Sequence, residues 1–383
     1  MFSYCQLAKI YMLINFLQNA RAMSSLLLAF LLILLLTLPS LYAVPNNSAR
    51  LVAWVVPWGE RVDAREVPGY MVPGVVVAYD VDRGVEPPSL SQWLSYSVSQ
   101  IEALRSSGRE VFVNLFCEKY VPSWSWRGGL KTVRLDGRVL AELKRVLGDG
   151  EGAYIGFSEL TSCVNDAGCR EELSAAYREL REAFPAAKLY YYGSGGDDVN
   201  ALLDLQAKAG LDYVGIDFWD LELGPQGVRV KRYLVSKVEE LARRLGWGKV
   251  IVGEVGLRVD DEEAYIEPWN WGRRRVFNES ADARYYSEIL TGLLVEEKVA
   301  PAFIGVWAWN DGVFAVRGEN DVLDVLSRFA TSSPEGSAST VRLNTPLPWV
   351  FPWVAVALAP IAVFVAVILQ RRHRSKRGAP GNA

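Results

Sequence analysis

Histidine is all but missing from this sequence: the single imidazole among 383 residues is His373, close to the C-terminus. Ser-His-Asp and Cys-His nucleophilic systems need an imidazole base, and most zinc sites need an imidazole ligand. Neither class fits the body of the chain. Cysteine is scarce too. Of four, Cys5 lies near the N-terminus, which leaves Cys117, Cys163 and Cys169 and therefore one thiol without a partner. Cys163 and Cys169 are close enough in sequence for a local bridge, with Cys117 as a competitor. No Gly-rich dinucleotide turn follows the first apolar run; Pro57-Trp58-Gly59-Glu60 stands there instead. Basic charge is also short where it would matter for nucleic acid. The two ends hold seven of the 41 Lys and Arg and none of the 44 Asp and Glu, so the remainder carries a net charge of −10. A phosphate backbone is not the partner of such a surface.

Long apolar runs are present at both ends. Leu26 to Leu38 is almost wholly apolar and is followed by small residues around Ala43. Residues 1–43 therefore read as a secretory signal peptide, or as an N-terminal anchor if retained. Leu347 to Leu369 carries no charge and is long enough to span a bilayer core. Arg371-Arg372-His373-Arg374-Ser375-Lys376-Arg377 follows at once, which places the tail 370–383 in the cytoplasm by the positive-inside rule. Residues 331–346, rich in Ser, Thr and Pro, read as a stalk. The expectation is a cell-membrane protein with a single transmembrane helix, bound to the lipid bilayer through it, and with 44–330 outside the cell. Asn46-Asn47-Ser48 and Asn278-Glu279-Ser280 fit the glycosylation acceptor pattern of that compartment.

Between these ends lie eight short apolar runs: Leu51–Val56, Val75–Tyr79, Val111–Leu115, Tyr154–Phe157, Leu189–Tyr192, Tyr213–Phe218, Val250–Val252 and Phe303–Trp307. Most lack polar alternation, as strands buried on both faces do. Amphipathic stretches separate them; Leu234, Val238, Leu241, Ala242 and Leu245 form one apolar stripe. Buried strands alternating with amphipathic helices make a parallel sheet with helices outside, and eight such units match an α/β fold of the (β/α)8 TIM barrel type, whose usual size is about 250 residues. The first crossover, Pro57 to Gly74, contains Pro68 and Pro73 and scarcely makes a helix, so a distorted first unit is expected.

In a barrel the chemistry sits at the C-terminal ends of the strands. There the sequence supplies many acids and few bases: Asp80 and Asp82 after strand 2, Asn114 and Glu118 on strand 3, Glu159 after strand 4, Asp217 after strand 6, and Glu254 on strand 7. Crowded, buried carboxyls have raised pKa values, as a general acid near neutral pH requires. Aromatic platforms for the apolar faces of sugars are plentiful among 13 tryptophans; Trp54, Trp58, Trp219, Trp269, Trp271, Trp307 and Trp309 fall at strand ends or in the following loops.

Two glutamates at the ends of strands 4 and 7, with Val306-Trp307-Ala308-Trp309 ending strand 8, resemble the large clan of retaining (β/α)8 glycosidases. That resemblance implies Glu159 as acid/base and Glu254 as nucleophile, acting on an oligo- or polysaccharide without a cofactor. Asp80, Asn114, Glu118, Asp217 and the seven tryptophans named above would contact the carbohydrate. In many clan members an Asn precedes the acid/base, where Ser158 stands here. The alternatives are a non-catalytic glycan-binding barrel of the cell surface and a carboxylate-metal hydrolase with Asp80, Asp82, Glu118 and Asp217 around Mg²⁺ or Ca²⁺.

Overall fold

A computed structural model describes residues 49–80, 88–118, 133–224, 227–260 and 277–331. The chain divides into two units after Gly336, and the second lies wholly outside the described residues. So do the N-terminal apolar segment, the stalk from 332 onward, the apolar run 347–369 and the basic tail. No helix among the described residues is long and apolar enough to cross a membrane.

Eight parallel strands close into a barrel: β1 (Arg50–Val55), β2 (Met71–Asp80), β3 (Val111–Glu118), β4 (Ala153–Ser158), β5 (Lys188–Gly193), β6 (Tyr213–Ile216), β9 (Val250–Val255) and β10 (Phe303–Val306). Their order around the barrel is β1-β10-β9-β6-β5-β4-β3-β2. Each contains or overlaps one of the eight apolar runs. The outer layer holds α1 (Pro88–Ser106), α2 (Gly137–Leu147), α3 (Thr161–Asn165), α4 (Ala167–Ala183), α5 (Val199–Ala209), α6 (Arg232–Leu245), α7 (Glu279–Thr291) and α8 (Asn320–Thr331). A single 3-10 turn, Ala64–Glu66, stands in the first crossover in place of a helix; Pro68 follows it, whereas Pro73, expected in the crossover, lies within β2. An antiparallel hairpin, β7 (Leu221–Gly224) with β8 (Gly227–Val230), follows β6 and was not foreseen from the sequence.

Local chemistry fixes the helix ends. Asp136, Asp198 and Asn278 cap α2, α5 and α7 by accepting backbone N–H bonds, and Gly148 and Gly210 end α2 and α5 with positive φ. Cys163 and Cys169 form the disulfide, joining α3 to the first turn of α4.

Two apolar layers result. Outward strand residues such as Val113, Ile155, Val214 and Val252 pack with the helices, whereas Trp54, Phe112, Tyr154, Tyr190, Tyr192 and Phe303 fill the interior. Rings this large fit because the strands facing them carry glycine. A Cβ on Gly74 would lie 2.4 Å from the Trp54 ring, and one on Gly253 only 2.1 Å from the Tyr192 ring. Trp54 also donates its indole N–H to the Gly253 carbonyl at 2.9 Å.

At Gly253 the ladder slips. Ile304 pairs with Val252, but two residues farther along β10, Val306 pairs with Val255, three along β9. Gly253 and Glu254 together oppose Gly305, a β-bulge. Strict alternation after inward Ile251 and outward Val252 would turn Glu254 toward the helices. The extra residue returns it to the interior.

Gly253→Ala should therefore destabilise the barrel by at least about 1–3 kcal/mol, the usual cost of overpacking. The denaturant midpoint for unfolding reads this directly, and a wild-type midpoint would contradict the tight fit at the bulge.

Candidate active site

Glu254 is 3% exposed and has two donors. The Tyr192 hydroxyl donates to Oε1 at 2.7 Å, and the Trp219 indole N–H donates to Oε2 at 2.8 Å. Asn114, buried on β3, donates its amide to the Tyr192 oxygen at 2.7 Å, so a three-residue relay runs from β3 through β5 to β9. Burial pushes the Glu254 carboxyl well up, the Glu159 charge adds to this, and the Tyr192 and Trp219 bonds oppose it.

Glu159 reaches the same place by a different irregularity. In β4, Tyr154 faces the interior and Ile155 and Phe157 face the helices, so alternation would aim residue 159 outward. Its backbone instead adopts φ 56°, a left-handed conformation uncommon for a non-glycine residue, while its N–H still donates to the Tyr192 carbonyl at 2.9 Å. The carboxyl of Glu159 hydrogen-bonds that of Asp217 and acts electrostatically on Glu254 and Tyr192. The two glutamates and Asp217 thus form one acid cluster at the C-terminal mouth, with Glu254 and Asp217 buried.

Asp217 comes from the end of β6 on the inward face and is 4% exposed. Burial raises its carboxyl from 3.8 to about 8, with the Glu254 and Asp197 charges adding and the bonds from Glu159 and the Gly195 N–H opposing. Asp197, fully buried in the loop after β5, is raised to about 6, chiefly by burial, against hydrogen bonds from Thr161 and Tyr191.

The tryptophans named from the sequence divide. Trp58 and Trp307 lie 6.2 Å apart, ring centre to ring centre, and Trp58 also meets Phe116 at 5.8 Å and Trp93 at 5.9 Å. Trp219 rests on the backbone of Gly256, where a Cβ would come within 2.0 Å of its ring, and touches Phe314. These three belong to the mouth. Two do not. Trp54 is 2% exposed with its N–H already bonded, so it is part of the interior plug, two residues below the end of an inward run. Trp309 packs in the outer cluster against the helices, because the chain turns across β1 after Trp307. Asn114 supports Tyr192 rather than standing free. Trp269, Trp271 and Asp82 lie outside the described residues; of Asp80 and Glu118, only the backbone positions at the strand ends are described.

Tyr192 is the residue of this candidate site that sequence reasoning overlooked. In Leu189-Tyr190-Tyr191-Tyr192 it looks like core, yet two-residue alternation at a strand end on the inward face marks it. Polar atoms also converge on this mouth with no hydrogen-bond partner among the described residues: Trp58 Nε1, Trp307 Nε1, Asn114 Oδ1 and Ser158 Oγ. Buried donors and acceptors of this kind suit a hydroxyl-rich ligand. Among the described residues no group of three His, Cys, Asp or Glu is arranged to hold a metal ion.

No protein-family model matches the sequence, and no curated protein is similar to it in sequence. In structure the chain is similar to a GH113 beta-1,4-mannanase in complex form, with TM-score 0.51 and 11% identity over 74% of this chain and 98% of that one. A second GH113 beta-1,4-mannanase structure gives 0.47 and 13% over 67% and 87%. A double mutant of Cellulomonas fimi endo-beta-1,4-mannanase gives 0.48 and 14% over 75% and 71%. The barrel fold is thus one found in glycoside hydrolases.

A carboxyl with a raised folded-state pKa binds its proton more tightly folded than unfolded, so its contribution to stability falls as pH rises between the two values. For Asp217 that window runs from 3.8 to about 8. Asp217→Asn should therefore flatten the pH dependence and gain stability relative to wild type between pH about 5 and about 8. Urea unfolding at both pH values tests the sign.

Proposed function

We propose that this chain is a membrane-anchored extracytoplasmic glycoside hydrolase that uses Glu159 and Glu254 in a retaining, two-carboxylate mechanism. The observation that carries this reading is the meeting of the two glutamates over one barrel mouth, each aimed there by a break in its strand. Glu159 protonates the glycosidic oxygen while the Glu254 carboxylate attacks the anomeric carbon, the bond to the leaving group breaks, and an ester joins sugar to Glu254. Water then attacks that carbon, gives its proton to Glu159, and frees Glu254. Tyr192 and Trp219 suit the second role: two neutral donors favour the ionised form that a nucleophile must have. Trp58 and Trp219, both partly exposed, offer the sugar aromatic faces, with Trp307 buried behind Trp58.

The beta-1,4-mannanase structures with the same fold make beta-1,4-mannan the first substrate to try, within a broader glycan panel. The apolar segments at both ends support the anchor, and the disulfide is consistent with an oxidising compartment. Loss of both carboxylate functions would leave the glycan-binding barrel as the second reading, since the aromatic mouth would persist.

Glu254→Ala should abolish turnover, and added azide should restore part of it as a glycosyl azide. Glu159→Ala should slow unactivated glycosides by about 10²–10⁴-fold, the range for a lost general acid, while sparing aryl glycosides with acidic leaving groups. Activity should survive a chelator. Wild-type turnover in Glu254→Ala would remove that residue from the reaction.

A further inference from the structure

Strand β3 turns Phe112, Asn114 and Phe116 into the barrel, and only the middle one is polar. An amide set between rings needs partners. Asn114, fully buried, donates its Nδ2–H to the Tyr192 oxygen at 2.7 Å, and the Tyr192 hydroxyl lies 2.7 Å from Oε1 of Glu254. A phenol has one proton and a carboxylate has none to give, so that proton belongs between Tyr192 and Glu254 whenever Glu254 is ionised. The lone pair left on the phenol oxygen then faces Asn114, which must answer with its amino group. Were the amide reversed, two acceptors would meet there, or the proton would leave Glu254 for Oδ1. Asn114 Oδ1 has no hydrogen-bond partner among the described residues. The amide is thus oriented toward Tyr192 at the expense of its own carbonyl.

We propose that Asn114 is a positioning residue for Glu254: by occupying the acceptor side of the Tyr192 hydroxyl, it commits that group's single proton to the carboxylate. The inference rests on the hydrolase reading, in which Glu254 must be an anion. Hydrogen bonds in a chain polarise one another, so the amide also makes the phenol a better donor. The other groups facing Glu254 are Trp219 before β7, Glu159 after β4, Asp217 after β6 and Tyr190 on β5. Trp219 holds Oε2, and Tyr190 gives its own proton to the Val113 carbonyl at 3.1 Å. None of these four is a cation, and the two acids oppose ionisation of Glu254. Loss of the phenol's donation, or of the amide that directs it, is therefore not made up by its neighbours.

On the acid side, kcat/KM falls as the free enzyme's nucleophile takes up a proton, so that limb of the pH profile reports Glu254. Loss of a donor to the ionised form raises the pKa, and the limb moves to higher pH. Tyr192→Phe should move it by about one to two units. Asn114→Leu, which keeps the bulk without the amide, should move it by about half a unit to one unit, a loss of about three- to ten-fold in kcat/KM below the limb. In the Tyr192→Phe background Asn114→Leu should move it no further, whereas an effect that bypasses the phenol would appear in both backgrounds. Neutron diffraction from wild-type crystals at mildly alkaline pH, with Glu254 ionised, should place the Tyr192 deuteron toward Oε1 and the Asn114 amino group toward Tyr192. An unmoved limb in Asn114→Leu, an equal shift in the Tyr192→Phe background, or a deuteron pointing to Asn114 overturns the assignment. The neutron map needs neither substrate nor a variant that folds. It decides the matter even for a wild-type protein without glycoside turnover, the separate outcome that would defeat the hydrolase reading.

Discussion

The bulge at Gly253 and Glu254 is the constraint on which the site depends. A parallel strand with uninterrupted alternation would point Glu254 into the helix layer, where a buried carboxylate would need a cation. One extra residue turns it inward, within reach of Tyr192 and Trp219. Glu159 is brought to the same mouth by its left-handed backbone. Such a conformation costs of order 1–3 kcal/mol, and it persists because the N–H of Glu159 stays in the ladder with β5 and because Leu160 behind it is buried. Two separate departures from regular strand geometry thus create one acid cluster.

That cluster differs in kind from the buried charges around Arg258. Arg258, just past β9, is paired with Asp282 of α7 and Glu319 before α8, and its guanidinium lies 4.2 Å from the Phe277 ring. There a cation answers the acids and the result is a structural clamp. Around Glu254 the answering groups are a phenol, an indole and another carboxyl. Neutral donors offset part of the desolvation cost without neutralising the charge, so proton affinity stays high and responsive to what binds nearby.

Much of this was legible in the sequence. Eight apolar runs became eight barrel strands because strands buried on both faces must be apolar throughout, and Pro68 announced the missing first helix, whereas Pro73 proved to lie inside β2. Glu159, Asp217 and Glu254 were found by their place at strand ends. Direction was not legible, since neither a bulge nor a positive φ at a glutamate has a local signature in Ser158-Glu159 or Gly253-Glu254. The same lack of register placed Trp54 and Trp309 at the mouth; the first is plug and the second packs against helices. The hairpin escaped because Val228 and Val230 merge into the helical stripe that begins beside them. Tyr192 escaped because an aromatic in an apolar run resembles core, which, apart from its hydroxyl, it is.

The pairing of each large interior ring with a facing glycine has an evolutionary consequence. Tyr192 and Gly253 do not change independently without cost: a side chain at 253 displaces the ring, and loss of the ring leaves both a hole and an unsupported Glu254. Such pairs are epistatic. Lineages that inherit one partner are held to the other, so the floor of the barrel resists drift while exposed helix faces diverge freely, and ancestry would persist longest at positions with no side chain at all.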